Sequence, residues 1–524
     1  MELPDIPTQW DLLVIGGGIT GAGVLAEASR MGLKTLLCEE RDFAWGTSSR
    51  SSKLVHGGLR YLREGRFRLT HHSVINRQRL LAEAPGLVTP IFFLMPIRKD
   101  IGPGKRATGL GLYIYDLMAG RRAHSYLEKE DFALLAPGLD SRALRGGFLF
   151  QDAQTDDARL VLRLIFEAVE RGALALNYTR VLSLLRRSSG MVSGACLQDT
   201  LTGETKEVLA KVVINATGPR SESFHKSPDP RLRIRALRGS HLVFPHWSLP
   251  VQSAITLIHP EDLRPLFIFP WEGVLVAGTT DVDHLEDLSQ EPSMSAQEAN
   301  YILECLRFHF PSWEGGLQDT LCAYAGVRAV ISRDPGRPPS AESREHVIWK
   351  DRGLVTVTGG KLTTFRLLAR EALHAAAREL GLAGKVELSS PAYEPVPPLH
   401  GAGLRVSPRV WIRLLGRYGK KAIQILEKSP SEQLEPVPGT SILWAELAHA
   451  ACSESIKHLE DLLLRRVRLG LLAPRGAHEH LERIQQVCSS ALDWDGPRWE
   501  KEKAAYLDTL SRFYTVPRPH GDLH

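Results

Sequence analysis

Four apolar residues in a row, Leu12 to Ile15, form the first clear hydrophobic pattern in the chain. A run that short, with no polar alternation, predicts a strand buried on both faces. Gly16-Gly17-Gly18-Ile19-Thr20-Gly21 follows, and Val24, Ala28 and Met31 then fall on one side of a helix that Gly32 ends. Leu33 to Cys38 predicts a second strand, delivering Glu39 eighteen residues after Gly21. Residues 156–173 have helical spacing, with Leu160 and Leu164 beside Val161 and Ile165. Lys211 to Asn215 predicts a strand running into a glycine turn at Gly218, and Leu354 to Thr358 another, ending in Gly359-Gly360 and opening a helix from about Leu362.

Residues 236–324 differ from this pattern. Apolar and polar positions alternate there, and Leu266–Phe269 and Val274–Ala277 flank Trp271-Glu272-Gly273, which predicts a hairpin in an antiparallel sheet. Pro391, Pro395, Pro397 and Pro398 mark a linker. Beyond it, residues 445–472 predict an amphipathic helix and a mainly helical C-terminal part. The expected architecture is α/β: a Rossmann-like dinucleotide-binding domain (1–90, 151–235 and 325–385), an antiparallel-sheet substrate domain (91–150 and 236–324), a linker at 386–402 and a helical domain at 403–524. No fixed-period repeat argues for a solenoid.

The glycine stretch supplies the first candidate chemistry. The first glycine of a GxGxxG permits a tight turn, the second lets the backbone approach a pyrophosphate, and the third brings helix against strand. The helix N-terminus offers unpaired N–H groups to the phosphates. A carboxylate ending the second strand, here Glu39, can accept hydrogen bonds from ribose hydroxyls. The motif serves NAD or FAD; its position at the start of a long chain leans toward FAD.

Composition narrows the rest. The 524 residues, 43% hydrophobic, can bury a core without disulfides or metal. The six cysteines include no CxxC pair, which argues for a reducing compartment and against a zinc ribbon. A net charge of +5 is too small to imply nucleic acid. Glu2 and Asp5 do not look like the start of a signal peptide, and no run of about 18 apolar residues predicts a membrane span. The expectation is a cytoplasmic protein or one attached to a membrane from its cytoplasmic side. His71-His72 and His478-Glu479-His480 lack a second ligand pair at useful spacing, so no metal is expected.

"DLLVIGGGITGAG" (11–23), "GTSSRSSKLVHGGLRYL" (46–62), "VINATGP" (213–219), "GTTD" (278–281) and "GGKLTTFRLLA" (359–369) occur in the order seen in FAD-dependent glycerol-3-phosphate dehydrogenases. "DDARLVL", "GSHLV", "AGVR" and "SREHVI" also resemble that family, from about residue 10 to 380 and more weakly to 470. The resemblance implies that FAD lies along Gly16, Gly17, Gly18, Ile19, Thr20, Gly21 and Glu39, then Thr47, Ser48, Ser49, Ser52, Lys53 and Leu54, with Gly218, Gly360, Leu362 and Thr363 on its other side. It implies a substrate pocket of His56, Arg60, Tyr61, Arg328, Arg344 and Lys361, where forked guanidinium donors suit a phosphate dianion.

The implied reaction is oxidation of sn-glycerol 3-phosphate to dihydroxyacetone phosphate. His56 is the candidate base for the C2 hydroxyl, or else a group that orients substrate or flavin. Arg328 and Lys361 would stabilise developing negative charge. The family's usual acceptor is a membrane quinone. In residues 98–124, Arg98, Lys99, Lys105, Arg106, Arg121 and Arg122 surround "TGLGLYIYDLMAG", which suits a peripheral anchor on an anionic surface of the inner membrane. A buried amphipathic helix of the substrate domain is the competing expectation. Ala329 stands where the family usually has proline, and the proline-rich 335–340 precedes Arg344. The C-terminal part could serve dimer contacts, so a homodimer stays open. Two other functions compete: an amine or amino-acid oxidase of the same fold, which needs only one carboxylate clamp, and an FAD-binding module without turnover.

Overall fold

The apolar run at Leu12 sits at the centre of a parallel sheet. Gln9–Ile15 pairs with Thr35–Cys38 on one side and Thr205–Asn215 on the other, with Ile15 level with Cys38 and Asn215. All three strands therefore end at one edge, where Gly16, Glu39 and Ala216 follow. The structure, a computed structural model, describes residues 3–63, 65–333, 336, 339, 342, 344–382, 386, 390–395 and 405–517, without the side chains of Arg60 and Arg63.

Among the described residues the first sheet has eight strands. Its main path runs His346–Asp351, Leu354–Gly359, Thr205–Asn215, Gln9–Ile15, Thr35–Cys38 and Leu174–Leu176; the hairpin Thr179–Arg186 and Val192–Asp199 joins it through Thr205–Asn215. The helices Ile19–Arg30, Asp157–Glu170 and Phe365–Ala376 pack together and bury one apolar core with the sheet. Asp156 caps the second of them, accepting a hydrogen bond from Arg159 N at 3.2 Å, as an acidic N-cap should.

The second sheet has nine strands among the described residues, antiparallel except where Ala254–Ile258 pairs with Val88–Arg98. The expected hairpin is there: Pro265–Trp271 pairs with Val274–Gly278, and Trp271 stands opposite Val274. Glu272 and Gly273 close it, both at positive φ (48° and 91°), which suits the twist of a two-residue turn. The strands cross the domain boundaries drawn from the sequence. Val88–Arg98 and Leu144–Thr155 pair with each other in this second sheet, across the divisions at 90 and 150. Cys322–Ser332 pairs along Arg233–Pro245 in the same sheet, although residues from 325 on were expected in the cofactor domain. Register decides this: eleven consecutive pairs, Arg233↔Ser332 to Val243↔Cys322, hold the strand there.

The C-terminal part is helical, but the long helix expected over 445–472 is broken. Trp444–Ser453 ends before Ser455 (φ 53°), a wide π-type turn spans Asp461–Arg466, and Arg468 (φ 64°) redirects the chain into Leu469–Leu472. Arg465, Arg466 and Arg468 are fully buried and ion-paired; the interruption lets them leave the helix axis for partners elsewhere. The expected 386–402 linker lies mostly outside the described residues.

Candidate active site

One cavity of about 1210 Å³ opens along the C-terminal edge of the first sheet and continues beneath the second. That exceeds the roughly 300–1,000 Å³ of an ordinary small-molecule site. Gly16, Gly18, Ile19, Thr20 and Glu39 line one end. A methyl group on Gly21 would lie 1.9 Å from the Gly16 carbonyl oxygen, so no side chain fits where the helix meets the turn. Gly18 caps that helix without offering a side chain to its N–H groups. Glu39 Oε2 accepts from Gly17 N at 2.7 Å, and Ser48 Oγ accepts from Ile19 N at 2.9 Å. A cradle of glycine, backbone N–H and terminal carboxylate can hold a dinucleotide. The helix N-terminus favours a phosphate there by about 0.3–1 kcal/mol.

Thr47, Ser48, Ser52 and Leu54 continue the wall, with Gly218, Gly360, Leu362 and Thr363 opposite. Ser52 Oγ is 2.9 Å from His241 Nε2, and Thr358 Oγ1 donates to the Gly218 carbonyl at 2.8 Å. Four residues expected along the cofactor are absent from the wall: Gly17, Gly21, Ser49 and Lys53. Gly17 and Gly21 lie behind it, their α-carbons packed toward Glu39 and the Gly16 carbonyl. Lys53, at φ 56°, turns its side chain into the core, where Nζ meets Asp157 at 2.9 Å between the rings of Trp271 and Tyr324. Burial, with Arg468 alongside, brings its ammonium down to about 7 against the pull of Asp157. Ser49 also turns back, its carbonyl accepting from Lys53 Nζ at 2.6 Å.

His56, Tyr61, Arg328, Arg344 and Lys361 come together at the other end. Arg60 lies in the short helix Leu59–Arg63, but its side chain is outside the described residues. His56 is carried by backbone under close control. Gly57 N donates to Asp152 Oδ1 at 3.3 Å, and Asp152 in turn accepts from Arg77 and Tyr115, each at 2.9 Å. A methyl on Gly57 would meet Tyr115 OH at 2.2 Å. Lys361 Nζ stands 3.7 Å from the centre of the Tyr61 ring and 3.2 Å from Ser73 Oγ.

Asp281 organises the cations. Its Oδ1 accepts from Arg328 Nη1 at 3.0 Å and its Oδ2 from Arg344 Nη2 at 2.7 Å. Arg328 Nη2 also donates to Thr279 Oγ1 at 2.9 Å. Burial works against the charge of Asp281, but Arg344, Arg328 and Arg264 more than reverse that and hold it below the usual carboxylate range. Desolvation and Arg344 pull Arg328 down to about 10, still cationic at neutral pH. Arg264 lines the same cavity. Sequence reasoning missed Arg264 and Asp281, although Asp281 ends the "GTTD" string.

Past this polar end the wall turns apolar. Phe93, Met95, Ile97 and Phe267 come from the second sheet, and Ala107, Leu110 and Ile114 from the helix Lys105–Ala119. That helix has two faces: Thr108, Leu112 and Tyr115 are buried, as a packed amphipathic helix requires, whereas Leu110, Tyr113 and Leu117 are 62%, 56% and 62% exposed. Arg98 does not belong to an exposed basic face. It is buried and paired with Asp100 and Asp140.

The model of the family described as FAD dependent oxidoreductase matches residues 11–375, most of the chain. The chain belongs to that family. A second model, the C-terminal domain of alpha-glycerophosphate oxidase, matches residues 363–498. An aerobic glycerol-3-phosphate dehydrogenase of Staphylococcus haemolyticus is 32% identical over 87% of this chain and 86% of its own length. The mitochondrial glycerol-3-phosphate dehydrogenase of Bos taurus is 33% identical over 97% of this chain and 73% of its own. Among solved structures, the glycerol-3-phosphate dehydrogenase of Bacillus halodurans complexed with FAD superposes with a TM-score of 0.76 at 28% identity, covering 95% of each chain. Within the FAD-dependent oxidoreductases this chain groups with the glycerol-3-phosphate dehydrogenases. The glycine cradle at the helix N-terminus and Glu39 fit the cofactor of that family, FAD.

Proposed function

We propose that the protein oxidises sn-glycerol 3-phosphate to dihydroxyacetone phosphate and passes the electrons to a membrane quinone. FAD, when bound, supplies the redox chemistry by accepting hydride from C2. The chain's own residues bind, orient and deprotonate. Arg328 and Arg344 take the phosphate: each guanidinium spends one N–H on Asp281 and keeps others for a ligand. Tyr61 and Lys361 hold the substrate's hydroxyl end, and the Lys361 ammonium stabilises negative charge growing on the C2 oxygen. His56 takes the proton of the C2 hydroxyl, a task suited to an imidazole near neutral pH. Its backbone is fixed through Gly57 by Asp152.

The observation that carries this proposal is the convergence of Arg328, Arg344 and Lys361 on the cavity that begins at the glycine cradle. Such a cluster exceeds what a single substrate carboxylate requires and suits a phosphate dianion. The test is an anaerobic titration of the purified yellow protein with glycerol 3-phosphate. Bleaching of the flavin band is expected; an unbleached band with FAD intact would remove the substrate.

For the acceptor and the location, the helix Lys105–Ala119 is the support. Its exposed stripe Arg106, Leu110, Tyr113 and Leu117 would sit on the cytoplasmic face of an inner membrane. The apolar wall behind Leu110 would admit a quinone ring from the lipid side. No helix of the described residues is long and apolar enough to cross a membrane, so the contact would be peripheral.

A further inference from the structure

No described residue beyond Thr363 lines the cavity, yet residues 465–514 make buried contacts to the loop that forms its cofactor wall. The loop runs from Asp42 to Ser52. Its front faces the cradle, where Ser48 Oγ accepts from Ile19 N at 2.9 Å. Its back is gripped at three points. Asp42 accepts from Arg465 Nε at 2.5 Å and from Arg466 Nη1 and Nη2 at 2.6 and 2.8 Å. The Ser49 carbonyl accepts from Arg468 Nη2 at 2.7 Å, and the same nitrogen reaches Asp157 Oδ1 at 3.1 Å. Arg50, which lines the cavity, donates from Nε to Tyr514 OH at 3.2 Å.

Asp157 ties the middle grip to the first sheet's helices. From the helix N-terminus its Oδ2 reaches across to the loop, accepting from Ser51 N at 2.9 Å and Ser51 Oγ at 2.8 Å, and Lys53 Nζ completes the set at 2.9 Å. Loop, helix N-terminus and C-terminal unit thus share one carboxylate, buried with Lys53 and Arg468. Charged groups excluded from water hold one geometry strongly, because any displacement leaves a buried charge without its partner.

We infer that the C-terminal helical unit positions the FAD-binding loop, chiefly through Arg468, so that this arginine governs how tightly FAD is held without touching it. Arg468 is a positioning residue in this scheme, acting through Ser49 and Asp157. The inference rests on the family's cofactor and is independent of the substrate, because FAD retention is measured without one.

The experiment follows FAD release from the holoenzyme by the rise in flavin fluorescence, with the visible flavin spectrum as a second readout. Arg468→Ala is expected to speed release at least tenfold and to shift the spectrum; Arg468→Lys, which keeps the charge, should recover most of both. Arg413→Ala is the control. It breaks a pair with Glu446 in the same unit, with no hydrogen bond to the loop, and should lower Tm while leaving release and spectrum unchanged. If Arg468→Ala does not fold, Tyr514→Phe removes only the hydroxyl facing Arg50 and should speed release severalfold. Release within twofold of the parent in whichever of Arg468→Ala or Tyr514→Phe folds, or equal loosening by Arg413→Ala at an equal fall in Tm, would overturn the inference.

Discussion

Arg328 and Arg344 grip opposite oxygens of one carboxylate, Asp281, at 3.0 and 2.7 Å. The two guanidinium groups approach each other only because that charge lies between them. A shared carboxylate also orients both forks without using up their donors, since each guanidinium has five N–H groups. The site is therefore organised before a ligand arrives, which lowers the ordering cost of binding.

Lysine at position 328 tests the fork rather than the charge. Arg328 reaches Asp281 with one nitrogen and Thr279 with another; a single ammonium cannot do both and still face a phosphate. Arg328→Lys is expected to lower kcat/KM for glycerol 3-phosphate about 10- to 100-fold, roughly 1.4–2.8 kcal/mol, mostly through KM. Steady-state kinetics with saturating acceptor checks this. Kinetics like the parent's would show that charge alone suffices there.

Gly21→Ala tests the cradle. The added carbon would stand 1.9 Å from a backbone oxygen, which has no rotamer by which to escape. The glycine turn must then open, and the backbone N–H groups lose their common focus. The variant is expected to purify folded but with most of its flavin lost, because the backbone that faces the pyrophosphate is displaced. Near-stoichiometric flavin would refute the assigned cradle.

These two sites differ in how far local sequence reveals them. The cradle is spelled by residues adjacent in the chain, Gly16 to Gly21, with Glu39 one strand further on. Strand periodicity and turn chemistry likewise predict the 265–278 hairpin, because alternation and a Glu-Gly turn are local signals. Asp281 and Arg264 are not local. They matter because two strands bring them beside Arg328 and Arg344, and no spacing encodes that. The break in the helix over 445–472 has the same origin. Leu459, Leu462 and Leu463 keep an apolar rhythm that a continuous helix would also show. What interrupts it is the pairing of Arg465 and Arg466 with Asp42, more than four hundred residues away. Lys53 shows the limit within a matched motif: its place in the string was readable, but a positive φ sends its side chain into the core.

His458 provides a pH test of the C-terminal unit. Burial alone would push its imidazolium down, but Glu502, 3.1 Å from Nδ1, and Asp461 more than reverse this and hold it above the ordinary value. A histidine raised in the folded state adds stability that is fully present below about pH 6.5 and is lost as pH rises through the higher folded value. His458→Gln should therefore lower Tm by about 1–2 °C at pH 5.5 and by less at pH 8.5, the small size reflecting a side chain 30% exposed. Thermal melts at the two pH values check it; a larger loss at pH 8.5 would reverse the sign.

The helix Lys105–Ala119 is both cavity wall and surface. Leu110, Tyr113 and Leu117 expose more than half of their area in a line along Lys105–Ala119, where water gains nothing from meeting them. Each large apolar side chain moved into lipid contributes about 1.5–3 kcal/mol at full burial, and nearby Arg106, Arg121 and Arg122, all exposed, add about 1 kcal/mol apiece on an anionic surface. The apolar term is insensitive to salt and the cationic term is not. Parent protein should float with anionic liposomes at low salt and only partly at high salt. The triple substitution Leu110→Ser, Tyr113→Ser, Leu117→Ser should abolish flotation at high salt and weaken it at low salt, where only the cationic term remains. It should leave bleaching of the flavin by glycerol 3-phosphate intact, because Arg328, Arg344 and Lys361 lie at the cavity's polar end. Turnover with a long-chain quinone in vesicles should fall while turnover with a soluble dye does not. Equal loss with both acceptors would mean that the helix serves the cavity's shape and not the membrane.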